Sequence, residues 1–120
     1  MTKIIFYRSG GSFYGFEEQG HACYNENGDD VLCAALSAMT MLIINTVEVA
    51  YASDIDYDID ESATKIKVCS KSALPEFEDD ECKRYAVSGL FMSYFYQLND
   101  MVEEYYDYLE VDVVDKEYTE

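Results

Sequence analysis

Residues 3–18 read KIIFYRSGGSFYGFEE, with Ser9-Gly10-Gly11-Ser12 set between two runs rich in β-branched and aromatic residues. Glycines at the centre of a two-residue turn, flanked by strand formers, are the sequence signal of a β-hairpin. The spacing predicts strands over 3–8 and 12–18. Beyond them, Gly20 to Gly28 is polar and irregular, with Asn25 and Asn27, and reads as a loop. Asp29-Asp30 then precede Val31-Leu32-Cys33-Ala34-Ala35-Leu36-Ser37-Ala38-Met39. An Asx residue ahead of an Ala/Leu/Met-rich stretch predicts a helix capped by Asp30. That helix is apolar nearly all round, which predicts that it lies inside the domain.

The remaining pattern extends the same logic. Asp54-Ile55-Asp56-Tyr57-Asp58-Ile59-Asp60 alternates acid and apolar residues, predicting a half-buried strand with a carboxylate-lined outer face. Residues 64–70 (TKIKVCS) alternate again and put Lys65 and Lys67 on one face, a cross-strand match for the aspartates. Val87, Phe91, Phe95, Leu98 and Val102 recur at helical spacing behind Glu78-Asp79-Asp80-Glu81, predicting a second helix over about 78–105. Residues 108–114 (YLEVDVV) alternate and predict a closing strand. The order β-β-α-β-β-α-β predicts an α+β fold: one small domain over 1–120, two helices packed on a mixed or antiparallel sheet.

Eight basic against 25 acidic residues give a formal charge of -17. Such a chain repels phosphate backbones and anionic membranes, so neither nucleic acid nor a membrane is an expected partner. The acidity serves solubility, or supplies a field that draws in a basic partner; composition alone does not separate these. The run Val31 to Ile44 contains Ser37 and Thr40, has acids at both flanks, and falls short of the ~20 residues of a membrane span. The N-terminus Met1-Thr2-Lys3-Ile4-Ile5-Phe6 lacks a secretory pattern, so the four cysteines are expected to be reduced and the location cytoplasmic.

His21 is the single histidine, between Gly20 and Ala22. Cys33 follows twelve residues later at the start of the first helix, where the macrodipole, free N–H groups and a nearby imidazolium favour a thiolate. A thiolate there is a nucleophile, and His21 can take its proton and return it to a leaving amine. Free N–H groups at the helix start can hold an oxyanion. Ser37, one turn on, shares the helix face of Cys33. Blander readings stand beside these. Cys33 can be a small core residue, Asp30 a cap, Ser37 a hydroxyl bonded to its own helix, and Gly20 and Gly28 turn glycines. His21, Cys23 and Cys33 are three soft donors, but their spacing is wrong for a structural zinc knuckle. Cys69 and Cys82 read as packing residues.

The stretch Gly20-His21-Ala22, seven residues, then Asp30-Val31-Leu32-Cys33-Ala34 with Ser37 following, resembles the signature of the Prp family. These cysteine proteases trim the N-terminal extension from a large-subunit ribosomal protein. The resemblance implies His21 as general acid/base and Cys33 as nucleophile, with Asp30, Ser37 and Gly20 in support. It implies a loop formed by Cys23, Tyr24, Asn25, Glu26, Asn27, Gly28 and Asp29 that closes over substrate, a homodimer, and no metal or cofactor. The expected substrate is a basic large-subunit ribosomal protein with an N-terminal extension, processed for ribosome assembly. Two rivals remain: a non-catalytic module that binds a basic ribosomal protein or peptide, and a thiol redox or acyl-transfer protein with Cys23 as resolving thiol.

Overall fold

A computed structural model describes residues 1–20, 29–60 and 62–119, without the side chains of residues 29 and 30. Strands β1 (Thr2–Ser9) and β2 (Ser12–Gln19) form the expected hairpin, with Ser9 opposite Ser12. Gly10 (φ 56°) and Gly11 (φ 84°) both take the left-handed conformation that a two-residue hairpin turn demands. Strands β3 (Asp56–Asp60) and β4 (Lys65–Cys69) form a second antiparallel pair, and β5 (Leu109–Asp115) closes the sheet in the order β3-β4-β2-β1-β5. β5 runs parallel to β1 while the other pairs are antiparallel, so the sheet is mixed. Two helices, α1 (Asp29–Asn45) and α2 (Glu81–Tyr105), complete the α+β architecture.

The core lies between the sheet and α2. Phe6 and Phe16 are fully buried there and meet Tyr94 edge-on, with ring centroids 5.6 and 5.0 Å apart. Offset and edge-to-face packing of this kind suits the ring quadrupoles. α2 begins three residues later than the acid run predicts. Asp80 is its cap, accepting from the Cys82 and Lys83 amides, while Glu78 accepts from the Asp80 amide ahead of the helix. Its buried stripe is Val87, Phe91, Tyr94 and Leu98; Phe95 sits at the margin and Tyr94 faces the sheet.

Three expectations need correcting. α1 is not enclosed: Val31, Met41, Leu42 and Val49 on or just beyond it are exposed, because only one side meets the rest of the fold. The helical path also continues past Asn45 through a π turn, Thr46–Ala50, closed by the Tyr51 amide on the Thr46 carbonyl. Val31–Ala50 is thereby long and apolar enough to cross a membrane, a test that core helices of soluble proteins also pass. Finally, β3 is exposed on both faces, Tyr57 and Ile59 included, since it is the edge strand beyond the helices' cover. Its expected pairing holds, with Asp58 opposite Lys67 and Asp60 opposite Lys65.

Candidate functional site

The path to the candidate site begins at Gly20, the last described residue before His21. Gly20 adopts φ +71°, and a Cβ there would stand 2.6 Å from the Met1 carbonyl oxygen. Its amide donates to the Thr64 carbonyl at 3.1 Å, and its carbonyl accepts from the Thr2 hydroxyl at 3.1 Å. Only glycine fits that backbone and that approach. The end of β2 is therefore pinned from both sides immediately before the candidate base. His21, Cys23, Tyr24, Asn25, Glu26, Asn27 and Gly28 themselves lie outside the described residues.

Asp29 and Asp30 fall inside α1, so Asp30 is a helical residue rather than the cap. Cys33 is accordingly the fifth residue of α1, and its own amide is not among the free first-turn donors. Its side chain still leans back toward that first turn, because Cα–Cβ bonds point to the helix N-terminus. The thiol is directed inward, at 6% exposure, whereas Ser37 is exposed. The 40° offset between positions i and i+4 carries Ser37 off the buried face. Cys33 is disulfide-bonded, while Cys69 and Cys82 are free thiols. The reduced state expected for every cysteine thus fails at Cys33. Among the described residues no cluster of His, Cys, Asp and Glu is arranged to hold a metal ion.

Beside α1 the structure reveals a polar group that the sequence reading missed. Glu18 is 1% exposed, and its Oε1 accepts from the Thr40 hydroxyl at 3.0 Å and the Tyr94 hydroxyl at 2.8 Å. Burial raises its pKa, and those two hydrogen bonds only partly offset it. Burial likewise raises the Tyr94 phenol, helped by the neighbouring carboxyl. A signal was available in the sequence: period-two alternation sends Glu17 and Glu18 to opposite faces, so one of them must meet the helices.

The opposite, helix-free face carries a cavity of about 240 Å³, lined by Tyr7, Tyr14, Lys67, Cys69, Lys116 and Tyr118 among others. Cys69 is as buried as Cys33, and desolvation pushes its thiol up to about 11, which leaves it inert at neutral pH. The cavity therefore lies across the sheet from Cys33 and offers no activated nucleophile.

The family model of cysteine protease Prp matches residues 1–110. Among solved structures, SMU.848 from Streptococcus mutans is 24% identical with TM-score 0.79, covering 97% of this chain and 96% of that one. The ribosomal processing protease Prp from S. aureus in complex with a substrate peptide is 17% identical with TM-score 0.72, covering 97% and 100%. The same S. aureus protease with a covalently linked product peptide is 19% identical with TM-score 0.74, covering 95% and 100%. At these identities the structures speak to the fold, and they share it end to end. No curated protein matches the chain.

Proposed function

Since the chain belongs to the cysteine protease Prp family, we propose that it is a cysteine endopeptidase with Cys33 as nucleophile and His21 as general acid/base. The match over residues 1–110, which spans both, carries this reading. The Cys33 thiolate attacks the scissile carbonyl and His21 holds the proton. The tetrahedral oxyanion collapses as His21 protonates the leaving amine, and the acyl-enzyme is then released by water. The substrate is a basic large-subunit ribosomal protein, trimmed at its N-terminal extension in the cytoplasm during ribosome assembly. A charge of -17 suits a basic partner. Asp30 and Ser37 are supporting residues, and the segment from Cys23 to Asp29 covers the substrate.

The working enzyme is a homodimer joined through α1. Support comes from the exposed, uncharged positions Val31, Ala34, Ser37, Ala38, Met41, Leu42 and Asn45 of α1, which recur at helical spacing; the first exposed charge on that path is Glu48, in the π turn beyond the helix. Two strongly acidic chains repel across most other faces. Met41→Glu should give a monomer by sedimentation velocity.

One observation favours the rival binding module: a disulfide sulfur is no nucleophile, and Cys33 is disulfide-bonded. Incubation with the extended ribosomal protein, with and without dithiothreitol, separates the two by intact mass. A protease yields a shortened product once reduced. A binder co-elutes with the intact protein under both conditions.

A further inference from the structure

Glu18 is hard to justify as packing. Its register partners on the neighbouring strands are Ile4 and Ile66, and Phe16, two residues back on the same face of β2, belongs to the apolar core. A leucine would fill that space without a buried carboxyl. Its Oε1 takes two donors, and its Oε2 is buried without any hydrogen-bond partner among the described residues. Buried polar groups are nearly always satisfied, and an exception calls for a reason.

The three partners occupy telling positions. Glu18 stands on β2 three residues before His21, one residue upstream of the segment that leads to the pinned Gly20. Thr40 lies on α1 seven residues after Cys33, and both face inward, since i and i+7 share a helix face. Tyr94 anchors the same oxygen to α2. The Glu18 carboxyl thus ties the strand that leads to the candidate base to the helix that carries the candidate nucleophile, with α2 as the fixed reference. α1 has much apolar surface exposed and one side on the fold, so a directional bond to the sheet limits its sliding and rotation.

We propose that Glu18 is a positioning residue for the His21–Cys33 pair, setting the end of β2 against α1 through Thr40 and Tyr94. The inference rests on the protease reading above. Its chemistry agrees with the geometry. Burial favours the neutral form of this carboxyl, which among the described residues faces two hydroxyls and no cation from α1, α2, β1 or β4. Glu17, its acidic neighbour, points to the other face and to Lys65. In either protonation state Glu18 offers Oε1 as the acceptor to the two hydroxyls.

The test uses the full chain, reduced with dithiothreitol and freed of it, and follows iodoacetamide alkylation of Cys33 against pH by peptide mapping, which keeps exposed Cys82 separate. In His21→Ala the profile should move toward that of an ordinary thiol. Glu18→Leu, which packs but accepts nothing, should move it the same way and slow alkylation at pH 7 by about tenfold to a hundredfold. Glu18→Gln, which keeps the acceptor, should restore the wild-type profile. A Glu18→Leu profile equal to wild type overturns the inference. Should Glu18→Leu not fold, Thr40→Val removes the α1 donor alone and must shift the profile in the same direction, or the inference fails. If His21→Ala itself leaves the profile unchanged, the protease pairing is what has failed. A shift in His21→Ala with none in Glu18→Leu sinks the positioning role only.

Discussion

The two faces of the sheet each bury one glutamate and one cysteine, and they treat them in opposite ways. On the helix-free face, Glu17 Oε1 meets Lys65 at 2.8 Å, while its Oε2 accepts from Tyr7 and Gln19. Burial alone would raise its pKa, but those partners prevail and hold it below the usual carboxylate range. One residue on, Glu18 meets only hydroxyls among the described residues, and burial prevails. Cys69 and Cys33 are both 6% exposed, yet one is an inert thiol and the other sits at the head of a helix. Residue type and burial are therefore poor guides to role; the charges and dipoles facing a group decide it.

The largest effect should separate the cysteines. Cys33→Ala should abolish cleavage of the extended ribosomal protein, whereas Cys69→Ala should retain it, both read by intact mass. Loss of cleavage in Cys69→Ala at a temperature where it stays folded would move the chemistry to the wrong face.

Next in size is Gly15→Ala, which tests how tightly the helix-free face is packed. A Cβ at Gly15 would stand 2.5 Å from both the Cys69 sulfur and the Val68 carbonyl oxygen. Neither can retreat, since one is buried and the other is backbone in β4. The expected cost is about 3 kcal/mol in urea unfolding. A cost near zero would mean that β4 yields there.

The glutamates should split by sign. A raised folded pKa means that the proton on Glu18 contributes stability below the unfolded value of about 4.3, and that this is lost as pH climbs toward the folded value. Glu18→Gln should accordingly be more stable than wild type at pH 7, with the gain vanishing near pH 4. Glu17 has a lowered pKa, so its contribution is present above about pH 4.3 and lost as pH falls further. Glu17→Gln should cost about 1 kcal/mol at pH 7 and little in acid. Chemical unfolding at the two pH values reads both, and equal signs at pH 7 would break the contrast.

The smallest expected effects come from the phenols. Tyr7→Phe and Tyr94→Phe each remove one donor from a glutamate, at about 1 kcal/mol apiece. Burial raises both phenols, so each costs stability as pH climbs past the ordinary value of about 10, and Tyr7→Phe and Tyr94→Phe should both lessen the loss of stability in alkali.

Read from the sequence alone, residues whose partners are close along the chain were legible. The Gly10-Gly11 turn, the Asp/Lys register of β3 and β4, and the stripe Val87, Phe91, Leu98 of α2 each follow from local geometry and period. The Gly20 to Ser37 signature and the family it belongs to were legible too, with His21 and Cys33 as candidates within it. Tertiary structure alone decided the rest. β2 is buried without a break from Phe13 to Glu18, so alternation could not say which glutamate meets the helices; Tyr94, 76 positions away, supplies the answer. The exposure of α1 and of β3 likewise depends on what the remainder of the chain leaves uncovered. The parallel pairing of β5 with β1 joins the two ends of the chain. Local pattern encodes period and turn. Which face is covered, and what a buried charge meets, is set by contacts between residues far apart along the chain.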